Sequence, residues 1–162
     1  MTTKLWAITL LLVLSCSLLS CNRHRNQDSA QIFPGLKSVK SIYIANLGNG
    51  EGAGLVREKL RAKLSQGGRF IIPEIIDQAD AILAGEAGTH RSYYGTGGDL
   101  YTSTKGYAML RLIDTKTTAT IWSFEYRPRV TRNAVDHIAD ETVQRLFSDA
   151  LRAEGTSAPS SP

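Results

Sequence analysis

Residues 107–126 read YAMLRLIDTKTTATIWSFEY, and this stretch decides the fold. Apolar and polar side chains alternate on both sides of DTKTTA, which is typical of two strands joined by a turn. One face of each strand is apolar, and its members are Ala108, Leu110, Leu112, Trp122, Phe124 and Tyr126. The stretch therefore predicts an antiparallel hairpin that buries one face.

Three further strands are predicted upstream. ADAILAGEAGTHRSYYG at 79–95 continues the period of two, and RFIIPEII at 69–76 is a short strand with Pro73 marking its end or an edge position. VKSIYIANL at 39–47 is apolar on both faces, which predicts a central strand.

Two helices complete the pattern. The first follows the glycines at 48–54 and ends at QGG, and the second covers NAVDHIADETVQRLFSDALRAE with Asn133 as its N-cap. Their predicted apolar stripes are Leu55, Val56, Leu60 and Leu64 in the first, and Val135, Ile138, Ala139, Val143, Leu146, Phe147, Ala150 and Leu151 in the second.

The order of elements is therefore β-α-β-β-β-β-α. It predicts an α+β fold, an α/β sandwich, with one mixed, mainly antiparallel sheet of about five strands and two helices packed on one face. A single βα crossover followed by hairpins does not build a Rossmann sheet.

The predicted fold also decides how the glycines of SIYIANLGNGEGAGLVREKL at 41–60 are interpreted. Gly48, Gly50 and Ala53 fit G-x-G-x-x-A, and Glu74 follows at the distance of a ribose-binding acid. Because the later strands are wrong for a dinucleotide fold, we interpret the glycines as a strand-to-helix turn and predict no cofactor.

The N-terminus predicts export. Residues 1–20 carry Lys4 and then the apolar run LWAITLLLVLSCSLLS, which is short for a membrane span but suits a signal peptide. Leu18, Leu19, Ser20 and Cys21 resemble the lipobox of bacterial lipoproteins, which implies cleavage before Cys21 and a diacylglyceryl and palmitate anchor on it. Cys16 is the rival lipidation site. Asn22 after the lipidated Cys implies, by analogy, the outer membrane rather than the inner one.

The remaining boundaries follow from composition. The chain has 162 residues and a formal net charge of +4. We predict a signal peptide at 1–20, a flexible tether at 21–36, a single domain at 37–153 and a disordered tail at 154–162. The basic residues are spread out, which argues against nucleic-acid binding.

Two motifs carry a family resemblance over residues 39–152. They are Ala79 to Gly85, an Ala-Asp-Ala-hydrophobic-Leu-x-Gly strand start, and Leu112 to Ser123, a Leu-hydrophobic-Asp to hydrophobic-Trp-Ser hairpin. The pattern resembles small bacterial envelope lipoproteins, the group of the curli-secretion lipoprotein and the lipoprotein activator of penicillin-binding proteins. The resemblance implies the fold; its motifs carry no catalytic residue. Thr118 stands where the group has a glycine after the turn Thr.

No metal-ligand spacing and no nucleophile motif is evident, so we predict neither metal nor enzyme activity. THRSYYGTGGDLYTSTKG at 89–106 is interpreted as a long glycine-rich hairpin loop, either an ordinary loop or a partner-binding surface. Aromatic and Arg side chains are what interface centres favour, and the candidates here are Arg91, Tyr93, Tyr94 and Tyr101.

Three classes of function stay open. The favoured one is a periplasm-facing, membrane-anchored, non-enzymatic adaptor that binds another envelope protein or a cell-wall component in envelope assembly or maintenance. The alternatives are a subunit of an oligomeric outer-membrane secretion complex and a nucleotide-binding enzyme. The oligomeric state does not follow from the sequence.

Overall fold

The helices lie on one face of a mixed sheet. A computed structural model describes residues 32–94 and 101–155, and these belong to one compact unit. Within them, four strands are ordered β1-β2-β3-β4, with β1 parallel to β2 and the other pairs antiparallel. The elements are β1 Ile42–Ile44, α1 Ala53–Gln66, β2 Ala81–Tyr94, β3 Tyr101–Asp114, β4 Thr120–Val130 and α2 Ala134–Gly155. The predicted α+β class is confirmed.

The predicted strand at 69–76 is reduced to a single bridge between Ser41 and Ile71. Ile42 N donates to Ile71 O at 2.9 Å, and Ile71 N donates to Lys40 O at 2.9 Å. Pro73 lacks an amide hydrogen, so the pairing stops there. The sheet of the described residues accordingly has four strands where about five were expected. β1 has a neighbour on its second side only at Ile71.

The core fills the space between the sheet and the helices. The buried face of the sheet comes from alternate positions of all strands: Ile42, Ile44, Ala81, Leu83, Ala87, Ala108, Leu110, Leu112, Trp122 and Tyr126. Register confirms the predicted hairpin, because Leu112 pairs with Trp122 and Leu110 with Phe124. Side chains opposite one another on paired strands share a face, so the two apolar faces merge into one surface.

Each helix buries one stripe against that surface. Val56, Leu60 and Leu64 of α1 are fully buried, as predicted, but Leu55 is exposed. The buried row of α1 begins at Ala53, and Leu55 lies outside its i, i+3, i+4 spacing. The same spacing leaves Leu151 of α2 exposed and buries Ala153.

The domain begins earlier than residue 37. Pro34–Ser38 forms a 3-10 helix in which Leu36 is completely buried. A Cβ built on Gly35 would lie 2.8 Å from Cγ2 of Ile121, so this segment packs closely on β4. The last residues of the predicted tether therefore belong to the folded domain, because the core buries the side chain of Leu36.

Asp80, from the strand-start motif, fixes the beginning of β1 against β2. Its Oδ2 accepts hydrogen bonds from the amides of Lys40 and Ser41 and from the hydroxyl of Ser41, each at 3.0 Å. The amide of Lys40, followed by the donors of Ser41, lowers the pKa of Asp80 below its usual value. A lowered pKa means that Asp80 stabilises the fold at neutral pH and that this contribution is lost as the pH falls through the folded-state pKa.

The β3–β4 turn is built around Asp114. Asp114 Oδ1 accepts from the amides of Lys116 at 3.0 Å and Thr117 at 2.7 Å, and the amide of Thr118 donates to Asp114 O at 2.9 Å. Thr118 has a φ of 57°, the left-handed conformation that favours glycine. The turn therefore keeps the geometry expected with glycine although a β-branched residue occupies the position.

Replacing Thr118 with glycine should stabilise the domain by about 0.5–1 kcal/mol, because left-handed backbone costs an L-residue ~1–2 kcal/mol and the extra freedom of unfolded glycine offsets part of that gain. Urea unfolding of residues 32–162 measures the change. Thr117→Gly is the matched control, since it removes a hydroxyl that donates to Asp114 Oδ1 at 2.8 Å. Equal effects of the two substitutions would contradict the explanation.

No helix within the described part of the chain is both long enough and apolar enough to cross a membrane. The predicted signal peptide at 1–20, with Cys16 and Cys21, lies outside the described residues, as do the tether up to residue 31 and residues 156–162 of the predicted tail. The tail was predicted to begin at residue 154, but Glu154 and Gly155 belong to α2, and Glu154 pairs with Arg69.

Candidate functional site

The β2–β3 hairpin is longer than the rest of the sheet. Both strands have 14 residues, paired without interruption from Ala81 with Asp114 to Tyr94 with Tyr101. Pairing of β3 with β4 ends at Lys105 with Val130, and on the other side Thr89 N still donates to Glu51 O at 2.7 Å. Beyond these points β2 and β3 continue to pair with each other, and Thr131 N donates to Thr104 O at 3.2 Å. We call Arg91–Tyr94 and Tyr101–Thr104 the distal ribbon.

The distal ribbon corrects the expectation of a long loop at 89–106. Strand pairing takes up most of that segment, and residues 95–100 lie outside the described part. THRSYY and YTSTKG alternate with the period of a strand. This alternation predicts the structure of the two segments better than the glycines at 95, 97 and 98 do.

Arg91 is held at the base of the distal ribbon. Its Nη2 lies 3.0 Å from Oε1 of Glu51, and both side chains are about half exposed. Glu51 O also accepts from the hydroxyl of Thr89 at 3.2 Å. An exposed pair of this kind contributes little stability, but it ties the glycine loop to the hairpin and orients the guanidinium.

Tyr93 is the exposed aromatic side chain of the distal ribbon, with 62% of its surface accessible. It stands two residues from Arg91 on β2, so the two share a face of the strand. Tyr94 and Tyr101 are register partners, but their side chains lie outside what the structure describes. The structure thus brings the four predicted residues into one short segment.

A shallow cavity of about 350 Å³ lies where the distal ribbon meets the first turns of both helices. Its charged lining consists of Glu51, Arg91, Arg132 and Asp136. Within this lining Arg91 is paired with Glu51, and Asp136 is paired with Lys59 of α1. Glu51 was missed by sequence reasoning because only the fold brings it beside Arg91.

The glycine loop has the geometry of a turn. Gly48 and Gly52 have φ values of 88° and 76°, and α1 begins immediately afterwards at Ala53. Glu74, the residue in the position of a ribose-binding acid, lies 2.6 Å from Nη1 of Arg61. That hydrogen bond lowers the pKa of Glu74. The loop and Glu74 therefore both have structural explanations.

The acidic residues of DHIAD pair with α1. Asp136 Oδ1 lies 2.9 Å from Lys59 Nζ, and Asp140 Oδ1 lies 2.6 Å from Lys63 Nζ. The bond to Lys59 lowers the pKa of Asp136, and the bond to Asp140 raises the pKa of Lys63. Among residues 32–94 and 101–155, no group of three or more His, Cys, Asp or Glu side chains is arranged to hold a metal ion.

Comparison with known proteins gives distant structural matches only. No family model matches the chain, and no curated protein matches it. The PelC dodecamer from Paraburkholderia phytofirmans is 18% identical, covering 68% of this chain and 86% of that chain with a TM-score of 0.44. A putative lipoprotein from Caulobacter crescentus is 14% identical, covering 78% and 98% with a TM-score of 0.44. Lipoprotein GNA1162 from Neisseria meningitidis is 12% identical, covering 70% and 99% with a TM-score of 0.43. Likeness at this level does not assign a function, and the narrower group that the motifs resemble stays an expectation.

Proposed function

We propose that the chain is a lipid-anchored envelope protein whose domain is a non-enzymatic binding module in envelope assembly or maintenance. The observation that carries the proposal is the distal ribbon, which extends past the four-stranded sheet and presents Tyr93 to solvent. Its partner is another envelope protein or a cell-wall component. The domain faces the periplasm, on the outer membrane rather than the inner one.

The physical reason lies in the side chains that the distal ribbon presents. The ribbon is paired in register from Arg91 with Thr104 to Tyr94 with Tyr101, and it carries an exposed aromatic side chain and an oriented guanidinium. Tyr and Arg dominate the energetic centres of interfaces because they bury much area while keeping polar ends.

Cross-linking in cells tests the surface. A photo-reactive phenylalanine analogue in place of Tyr93, in the full chain, should capture a heterologous envelope component. The matched control position is Leu151, which is 60% exposed against 62% for Tyr93 but lies near the far end of α2. In a pull-down of the full chain without the photo-reactive residue, Tyr93→Ala together with Tyr94→Ala should weaken capture of that component by ~10–100-fold with the fold unchanged. Equal capture at both positions, or capture unchanged by the double substitution, would refute the surface.

The same cells test the anchor separately. Cys21→Ala should abolish labelling by palmitate and release the chain from the membrane fraction, whereas Cys16→Ala should change neither. Label that survives Cys21→Ala and disappears with Cys16→Ala would move the anchor to Cys16. Loss of the anchor with Tyr93 capture intact would separate membrane attachment from partner binding.

A further inference from the structure

Exposed isoleucines gather at the end of the sheet where the predicted tether enters the domain. Isoleucine is among the residues that are most often fully buried. Within residues 32–94 and 101–155, the exposed large apolar side chains are nevertheless half isoleucine, and the set is Ile32, Leu55, Ile71, Ile75, Ile76, Tyr93, Met109 and Leu151. Three of these isoleucines lie close together in sequence, and we call residues 71–76 the isoleucine segment.

The isoleucine segment is fixed to the domain on both sides. Ile71 is joined by a bridge to the residue before β1, and Ile76 O accepts from the amide of Ala79 at 3.0 Å, two residues before β2 begins. Between them, Ile72 packs against the core and Pro73 is buried. The three exposed isoleucines, which are 43–70% accessible, are therefore held on a rigid support.

The chain enters the domain at the same end of the sheet. Ala81, the first residue of β2, pairs with Ile42 at the start of β1 and with Asp114 at the end of β3. Gly35, three residues after Ile32, lies against the second residue of β4. β2 runs away from this end over 14 residues, so the distal ribbon lies ~45 Å away.

The length of chain before Ile32 limits how far this end of the sheet can be from a membrane. Residues 21–31 join the predicted lipid on Cys21 to Ile32, and at ~3.6 Å per residue they span at most ~40 Å whatever their conformation. The distal ribbon lies about that distance beyond Ile32, so it reaches the bilayer only when the chain is fully extended. The isoleucine segment reaches the bilayer at any shorter extension.

Charges of both signs lie near the isoleucine segment. Lys40 and Lys116 are exposed, as are Glu74 and Asp77, and Glu74 pairs with Arg61. This mixture lacks the attraction to an anionic surface that a polybasic segment has. A contact with lipid is therefore apolar, and its side chains enter the outer ~5–10 Å, where head groups meet acyl chains.

We propose that the isoleucine segment docks on the lipid bilayer that holds the anchor, with Ile71, Ile75 and Ile76 in the interfacial region. This inference rests on the proposed lipid anchor at Cys21 and adds an orientation to it. The acyl anchor concentrates the domain at the surface, so a small apolar contact is enough to hold it there. The distal ribbon then points away from the bilayer and presents Tyr93 to partners in the periplasm.

Fluorescence in vesicles tests the docking. Residues 21–162 contain one cysteine, Cys21, and coupling it to a maleimide lipid in phosphatidylcholine vesicles makes the test independent of lipidation in cells. Trp122 is the one native tryptophan of this stretch, and it is buried. Ile75→Trp should add emission that brominated acyl chains quench. Leu55→Trp is the matched control, because Leu55 is 62% exposed but lies in the first turn of α1, at the opposite end of the sheet.

Removing the neighbouring isoleucines tests their contribution. In the Ile75→Trp chain, Ile71→Ser with Ile76→Ser should lower the ratio of docked to undocked domain by ~10–100-fold, because each substitution removes apolar area that the bilayer buries. Quenching should then fall to the level of Leu55→Trp. The replaced side chains are exposed, so the fold should be unchanged, and circular dichroism checks this. If the serine variant fails to fold, the comparison of positions 75 and 55 decides.

The outcomes separate docking on lipid from binding of a protein. Equal quenching at positions 55 and 75, no quenching at either, or quenching at 75 that survives both serines would overturn the proposal. In cells, a photo-reactive residue at Ile75 should form adducts with lipid, and a specific adduct with an envelope protein would overturn it as well. Palmitate labelling tests the anchor and capture at Tyr93 tests the distal ribbon, so a failure of docking is distinguishable from a failure of the proposed function.

Discussion

Replacing Gly85 with alanine should lower the free energy of unfolding by about 4 kcal/mol. A Cβ at this position would lie 2.0 Å from the carbonyl oxygen of Met109, which is backbone and has nowhere to move. Gly85 also has a φ of 138°, a conformation that L-residues rarely adopt. The added Cβ makes two separate clashes, one with its own backbone at ~1–3 kcal/mol of strain and one with β3 at ~1–3 kcal/mol of overpacking.

Urea unfolding of residues 32–162 measures the effect, and Gly54→Ala is the matched control. Gly54 lies in α1, and a Cβ built there meets no atom within 4 Å. Gly54 is the second residue of α1, so alanine there should stabilise the domain by less than about 1 kcal/mol. A loss below about 1 kcal/mol for Gly85→Ala would show that β2 and β3 can separate locally without cost, contrary to the continuous register.

Gly85 illustrates what the sequence could and could not predict. Alternation in ADAILAG and in the downstream hairpin predicted the strands, their buried faces and the α+β class correctly. The motif alone did not show which contacts require Asp80 and Gly85 at their positions. Asp80 bonds Lys40 and Ser41, which are about forty residues away in sequence, and Gly85 is required by the backbone of β3. Contacts between distant segments have no local periodicity, so only the fold reveals them.

The candidate surface shows the same limit. The sequence identified Arg91 and Tyr93 from composition alone, but the glycines between the strands predicted a long loop. Strand pairing continues to Tyr94 and Tyr101 because each added pair brings backbone hydrogen bonds that a solvated loop lacks.

Sequence patterns also did not predict that Asp149 is buried. It stands among the apolar residues of α2 and is 1% exposed. Its Oδ2 accepts from Trp122 Nε1 at 3.0 Å and from Arg145 Nε at 3.1 Å, and its Oδ1 accepts from Arg152 Nη1 at 2.9 Å. The Trp of the hairpin motif is therefore fixed by a carboxylate from the terminal helix. This hydrogen bond between Trp122 and Asp149 joins α2 to β4.

Replacing Asp149 with alanine should lower the free energy of unfolding by about 3–4 kcal/mol. The indole N–H of Trp122 would stay buried without an acceptor, at a cost of ~1–3 kcal/mol, and the lost carboxylate leaves a gap in the packing. Asp149→Asn keeps an acceptor and the shape, so we expect a loss of about 1–2 kcal/mol. Trp122 is the only tryptophan in residues 32–162, so its fluorescence during urea unfolding reports the transition directly.

Two comparisons isolate the buried hydrogen bond from a general effect of charge on α2. Asp140→Ala removes a carboxylate that is 49% exposed and paired with Lys63, and it should cost less than about 1 kcal/mol. Trp122→Phe removes the donor, and in that background Asp149→Ala should cost at least ~1 kcal/mol less than in the native domain, because no orphaned N–H remains. If the cost of Asp149→Ala is the same in both backgrounds, the carboxylate acts only through its arginines and the Trp122 contact contributes nothing to holding the helix on the sheet.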